Sequence, residues 1–255
     1  MKQKHETDLW LPANWPAPEW IIAGTTTRTG GFSKTPYQSL NLATHVGDNI
    51  NHVERNRKLV SDHLAMPSEP LWLTQEHGNI IVEPDNSTDN IKADGVYTRK
   101  EDLICVILTA DCLPLLLCDR SGSEIAAIHI GWRGLGKNII KIAVNKFTCD
   151  SRRILAWLGP CIETVHYEID HNVYNWINST LPGNEKFFTV TRKGHWLMDL
   201  CGIITRELKL LGIIHIHHSD YCTFSGATRF YSHRREGVTG RMASMIWIDS
   251  HSHLD

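Results

Sequence analysis

Between residues 103 and 159 the chain carries four apolar runs, "LICVILT", "LLLCD", "IAAIHI" and "ILAWLG". Each has the length of a strand, and none alternates cleanly between apolar and polar residues. Strands of near-continuous apolar content are buried on both faces, so the fold must cover both sides of a sheet. "GLGKNIIKIAVNKF" reads as one covering helix entered through glycines. "DLCGIITRELKLL" reads as a second, with Leu200, Ile203, Ile204, Leu208 and Leu211 at helical spacing. A further helix is predicted over "NHVERNRKLVSDHL", where Asn51 and Glu54 resemble a capping box and Pro67 sets the limit. "LWLTQ", "IIHIHHSDY" and "MASMIWI" read as additional strands, and "IIAGTTTRTGG" as a strand running into a Gly-Gly turn. The predicted fold class is α+β (mixed α/β), with layered mixed β-sheets flanked by helices. With no repeat, low-complexity tract or long linker, a single domain over residues 1–255 is expected. The Trp/Pro-rich residues 1–20 read as an irregular N-terminal arm or edge strand.

Several apolar runs end on reactive side chains. His77 in "TQEHG", Cys112 in "TADCLP", His129 in "IHIGWRG" and Cys161 in "LGPCI" are read as C-terminal strand tips, where layered α/β sheets usually bind ligands. Two imidazoles and a thiolate make a zinc set with one position open, the catalytic rather than the structural arrangement. Ordinary packing also places histidine and cysteine at strand ends, so spacing alone leaves both readings open. In "TADCLP" the acid must be used by something, because a carboxylate at the tip of a buried run otherwise costs free energy. Pro114 is read as ending that turn.

"HIGWRGLGKN" sets Gly131, Gly134 and Gly136 ahead of a helix, with Arg133 and Lys137 among them. It is either an anion cradle beside His129 or a tight turn with two solvated cations. "SLNLATHVGDN" brings Asn41, His45 and Asp48 into a loop, and Arg55 and Arg57 lie on the helix that follows. Turn-making and a solvated face are the alternatives there. "ADGVYT", with Asp94, reads as a turn entering a strand, and "FYSHRREGVTGR" as a basic loop that meets either phosphate or water. "HIHH" is read as a decoy, since alternation separates His215 and His217 from His218.

Composition narrows the partners. A formal net charge of −2 provides no basic field, so neither nucleic acid nor a membrane is an expected partner. No apolar stretch reaches the roughly 18 residues that span a bilayer. The opening residues lack the apolar core of a signal peptide, so a cytoplasmic location is expected. The seven cysteines, with no C-x-x-C pair, are expected as thiols.

In chain order, "TRTGGFS", "SLNLATHVGDN", "TQEHG", "ADGVYT", "TADCLPLLLCD", "AAIHIGWRGL", "LGPCI" and "FYSHRREGVTGRMAS" resemble the motifs of the YfiH/laccase-domain family. The resemblance implies a layered α/β fold and a zinc held by His77, Cys112 and His129, with copper as the alternative metal. It also implies phosphorolysis of adenosine, guanosine, inosine and methylthioadenosine, together with adenosine deamination. Polyphenol laccases and an editing amidase for peptidoglycan precursors are further family activities. A multicopper oxidase needs many paired histidines, and this chain has only "HIH" and "HSH" near its tail.

The expected function is therefore a zinc-dependent purine nucleoside phosphorylase with adenosine deaminase and methylthioadenosine phosphorylase activity. Its expected partners are purine nucleoside and phosphate, and the sequence does not fix an oligomeric state. The alternatives are hydrolysis of a UDP-muramyl-serine precursor, copper-dependent polyphenol oxidation, and a non-enzymatic zinc module closed by Cys161. In the expected site Asp111 moves a proton or orients a ligand, and Arg133 holds phosphate. Asn41, Arg57, Gln75 and Lys137 are the expected substrate contacts.

Overall fold

The computed structural model describes residues 9–84 and 91–253. Two stacked sheets form its frame. The larger has six strands in the order β12 (His215–His218), β8 (Ile154–Leu158), β6 (Leu113–Asp119), β7 (Ile125–Ile130), β4 (Gly95–Thr98) and β3 (Ile81–Val82). Its outermost pairs are parallel and its inner pairs antiparallel. The smaller is antiparallel, in the order β1 (Trp10–Pro12), β2 (Ile21–Thr26), β13 (Met242–Ile248) and β5 (Cys105–Thr109). A short third sheet joins β10 (Phe188–Arg192), β11 (His195–Met198) and β9 (Glu168–Asp170).

Strand alternation explains the apolar runs. Leu113, Leu115 and Leu117 of β6 face one way, into a cluster with Ile139 and Ile140 of α3 (Ile139–Val144), Ile177 of α4 (His171–Thr180) and Ile203 of α5 (Leu200–Leu210). Leu116 and Cys118 face the other way, against Cys105 and Ile107 of β5 and Ile246 of β13. Val106 and Leu108 of β5 and Met245 and Trp247 of β13 then point outward, onto Val60 of α1 (Ile50–His63) and onto Leu40 and Leu42 of the loop before it. The order is helices, large sheet, small sheet, helix and loop. Both sheets are covered on both faces, which is why their strands lack a polar side. No helix among the described residues is long and apolar enough to cross a membrane.

Several local expectations change. Of the two forms expected for the segment before residue 20, the edge strand is the one found, as β1 paired to β2. "LWLTQ" is not a strand: the Leu71 amide donates to Ile104 and the Thr74 amide to Ile91. Two different partners leave only isolated bridges, and Pro70 offers no donor of its own. The first helix is capped by Asn49, whose side chain accepts from the Asn51 amide, so Asn51 lies inside it. "GLGKNIIKIAVNKF" breaks into α2 (Trp132–Gly136) and α3, because Asn138 takes a left-handed conformation with φ 60°. Pro114 is the second residue of β6, opposite His129, rather than the end of a turn. Of the four expected tips, His77 follows the isolated bridges and His129 lies within β7.

Candidate metal centre

The three expected ligands converge. His77, Cys112 and His129 each offer a ligand atom, and these atoms all lie within 4.8 Å of one another. The two imidazole rings meet edge to face, with centroids 4.7 Å apart. Backbone pairing makes this contact for two of the three segments, and side chains hold the third. Register sets Pro114 opposite His129, which brings the start of β6 beside the end of β7. Gly131 then passes so close that a Cβ there would stand 3.1 Å from Cys112 Sγ and 3.3 Å from the His77 ring.

Asp94 organises two of the three. Its Oδ1 lies 2.8 Å from His129 Nδ1 and accepts the His77 amide at 2.9 Å. Its Oδ2 accepts the Gly78 amide at 2.6 Å and the Glu76 amide at 3.3 Å. The carboxylate thus orients the His129 ring, leaving Nε2 for a ligand, while it braces the His77 turn at φ 56°. Cys112 follows a second left-handed residue, Asp111 at φ 91°. That turn is held from outside: Asp111 Oδ1 accepts from Thr223 Oγ1 and Oδ2 from the Arg234 amide, each at 2.6 Å.

Charge favours a metal-ready thiolate. Burial works against it, yet the His129 and His77 imidazoles bring the Cys112 thiol down to about 6. Burial likewise opposes a charged His129, and the Cys112 thiolate with Asp94 raises it to about 9. Asp94 pays for its desolvation through the His129 ring and the Gly78 and Glu76 amides, which hold its carboxyl below the usual range. A tetrahedral zinc with bonds of about 2.0 to 2.3 Å needs ligand atoms roughly 3.3 to 3.8 Å apart. The ligand atoms here lie within 4.8 Å of one another, and their nitrogen and sulfur donors suit zinc or copper rather than a hard cation.

The cluster opens to solvent on one side. His129 is 3% exposed, Cys112 half-buried and His77 exposed. Arg241 faces Cys112 and Asp111, and its Nη1 donates to the Thr239 and Gly240 carbonyls. His45 lies near Arg241, Arg57 and His77; burial first, then the two guanidinium groups, lower it from its ordinary value. Arg57 stacks 3.6 Å above Trp72, donates through Nε and Nη2 to the Leu42 carbonyl, and is lowered to about 10 by burial. This rim is cationic.

The other expected residues fall into two groups. Asn41 and Gln75 spend their amides on the protein. Asn41 bonds Ala43, Asp48 and the Arg241 amide, and Gln75 pairs with both backbone groups of Leu108. Arg133 and Lys137 are exposed, with the Arg133 guanidinium 4.2 Å over the Trp132 ring. Cys161 stands outside the cluster, its Sγ 3.4 Å from Cys201 Sγ.

A second group, Glu163, His166 and Cys222, also lies within ligand reach of itself. There His166 Nε2 is bonded to Ser225 Oγ at 2.9 Å and the imidazole stacks on Phe224. Sequence reasoning missed Asp94, Arg241 and the facing of His45. Asp94 looked like a turn residue because its three amide partners and its imidazole become neighbours only after folding.

Over residues 22–249 the sequence matches the family described as multi-copper polyphenol oxidoreductase laccase. A purine nucleoside phosphorylase of Haemophilus influenzae is 40% identical over 248 residues, covering 92% of this chain and 98% of that one. The purine nucleoside phosphorylase YfiH of Escherichia coli is 38% identical over 247 residues, covering 92% and 96%. A crystal structure of a Neisseria meningitidis protein superimposes with a TM-score of 0.91 at 36% identity, covering 95% of this chain and 100% of the other.

Proposed function

The chain belongs to the multi-copper polyphenol oxidoreductase laccase family, and from that premise we propose that it is a zinc-dependent, cytoplasmic purine nucleoside phosphorylase. Adenosine deamination and methylthioadenosine phosphorolysis are part of the same proposal. The names of its relatives support the first activity. The seven free cysteines accord with a reducing compartment.

The observation that carries the reading is a three-ligand cluster, open at His77, under a rim of Arg241, Arg57 and His45. His77, Cys112 and His129 would hold the zinc, which when bound would supply a Lewis acid to the substrate. The rim supplies what phosphorolysis also needs, a place for an anion. In that reaction a phosphate oxygen bonds C1′ of the sugar, the bond from C1′ to the base breaks, and the base takes up a proton. Arg241, anchored on two carbonyls, orients the phosphate. Arg57 keeps the rim positive, and Arg133, from the turn after His129, is a second phosphate contact with Lys137 beside it in the chain. Asn41 and Gln75 act by holding the Arg241 and His77 loops. In deamination, water adds at C6 and ammonia leaves. Asp111, both oxygens of which are engaged, keeps the Cys112 turn in place for either reaction.

The test is product analysis. Metal-replete protein with adenosine and phosphate should yield adenine and ribose 1-phosphate, and without phosphate only inosine. Arg241→Ala should raise the phosphate KM by about tenfold or more, as expected for one charge-assisted hydrogen bond. Cys112→Ala should abolish both products and keep the circular dichroism of the parent. Base release that ignores phosphate, or full turnover by Cys112→Ala, sinks the proposal.

A further inference from the structure

Away from the metal cluster, three side chains meet where the tips of β8 and β12 face the start of α5. Cys161 follows β8, Cys201 is the second residue of α5, and His218 ends β12. The two sulfurs are 3.4 Å apart, and both line a cavity of about 340 Å³ together with Asp199 and His218. Cys201, His218 and Asp199 also line a neighbouring cavity of about 590 Å³, to which Lys186, Arg206 and Lys209 contribute. Cys161 is 4% exposed, whereas Cys201 is half-buried and reachable from both cavities.

We infer that Cys201 and Cys161 form a thiol–disulfide exchange site for a small, anionic disulfide of the glutathione class. Cys201 is the attacking thiol. The Cys161 thiol donating to it outweighs its burial, the His218 imidazole adds to the effect, and together they hold Cys201 below the ordinary thiol value. Its place in the first turn of an 11-residue helix favours the thiolate too. Cys161 is raised by the same contact and by burial, which suits a resolving thiol that reacts second. Lys186, Lys209 and Arg206, the last paired with Glu207, line the larger cavity onto which Cys201 opens and supply the charge that the carboxylates of such a disulfide seek. Asp199, which caps α5 at the Gly202 amide, opposes them by raising both thiols, but it is one carboxylate against Lys186 and Lys209 along that cavity.

The exchange balances. The Cys201 thiolate attacks one sulfur of the disulfide, the S–S bond breaks, and one glutathione leaves as thiolate. Cys161 then attacks Cys201 Sγ, its proton ends on the second departing glutathione, and a Cys161–Cys201 disulfide remains. The protein loses two electrons and glutathione disulfide gains them, giving one glutathione thiolate and one thiol.

The experiment uses full-length, metal-replete protein and glutathione disulfide at neutral pH without oxygen. Wild-type protein should lose two of its seven thiols, keep no adduct, and give a Cys161–Cys201 peptide by mass spectrometry. Cys161→Ser should retain one glutathionyl group, on Cys201. Lys186→Ala/Lys209→Ala should slow the reaction by about tenfold while leaving its rate with neutral hydroxyethyl disulfide unchanged. A wild-type disulfide between any other pair, or an adduct of Cys161→Ser on another cysteine such as Cys112, overturns the site. Equal slowing with both disulfides, or none, overturns the ligand class. None of these readouts depends on nucleoside turnover, so the fate of the proposed function is decided separately.

Discussion

Asp94 is 1% exposed and serves the His129 ring and three amides of the His77 turn at once. A buried carboxylate with four partners orients its neighbours, and such outer partners of a metal ligand are worth 10- to 100-fold in metal affinity as a rule. Asp94→Asn should therefore weaken zinc binding by about that factor while the protein stays folded. A competition titration against a chromogenic chelator measures it, and unchanged affinity would remove Asp94 from the site. At this scale the three converging side chains were legible in the sequence and their supports were not. Histidine and cysteine announce metal chemistry by type, whereas an aspartate before a glycine announces only a turn. Arg241 was equally hidden in a basic loop, because nothing local says that its guanidinium faces Cys112.

The element that carries His77 is a loop, and side chains hold it where a ladder would otherwise do so. Gln75 Nε2 donates to the Leu108 carbonyl at 2.9 Å, and its Oε1 accepts the Leu108 amide at 2.6 Å. One amide thus imitates a strand neighbour for β5. Gln75→Ala leaves both Leu108 groups without this partner, so it should cost about 1 to 3 kcal/mol in urea unfolding. It should also weaken zinc binding by loosening the His77 turn. Loss of stability without any change in metal affinity would separate the loop from the site. Apolar runs and helical spacing foretold β5, β6, β7, β8 and α5 because burial on both faces writes itself into composition. "LWLTQ" misled for the same reason: Leu71 and Leu73 are buried core residues, but their backbone bonds diverge to two partners.

Across the whole molecule, the core and the candidate site are largely separate. The buried clusters fill the spaces between helices and sheets, while the three candidate ligands sit at one end, where β5, β6 and β7 meet. Chelating the metal should therefore abolish turnover, leave far-UV circular dichroism unchanged, and lower stability only by the binding linkage of about 3 to 4 kcal/mol at a hundred- to thousandfold excess over Kd. Zinc should restore activity without refolding, and collapse of the fold on chelation would show that the metal is structural. The sequence by itself determined the layered α+β class and the identities of His77, Cys112 and His129, because double-sided burial and ligand chemistry are properties of residue type. Only the tertiary structure decided what those residues touch. Asp94 on His129, Arg241 toward Cys112, and Cys161 against Cys201 rather than in the His77–Cys112–His129 cluster all depend on strand register and loop docking. Those are set by the packing of segments far apart in the chain, and no single segment carries that information.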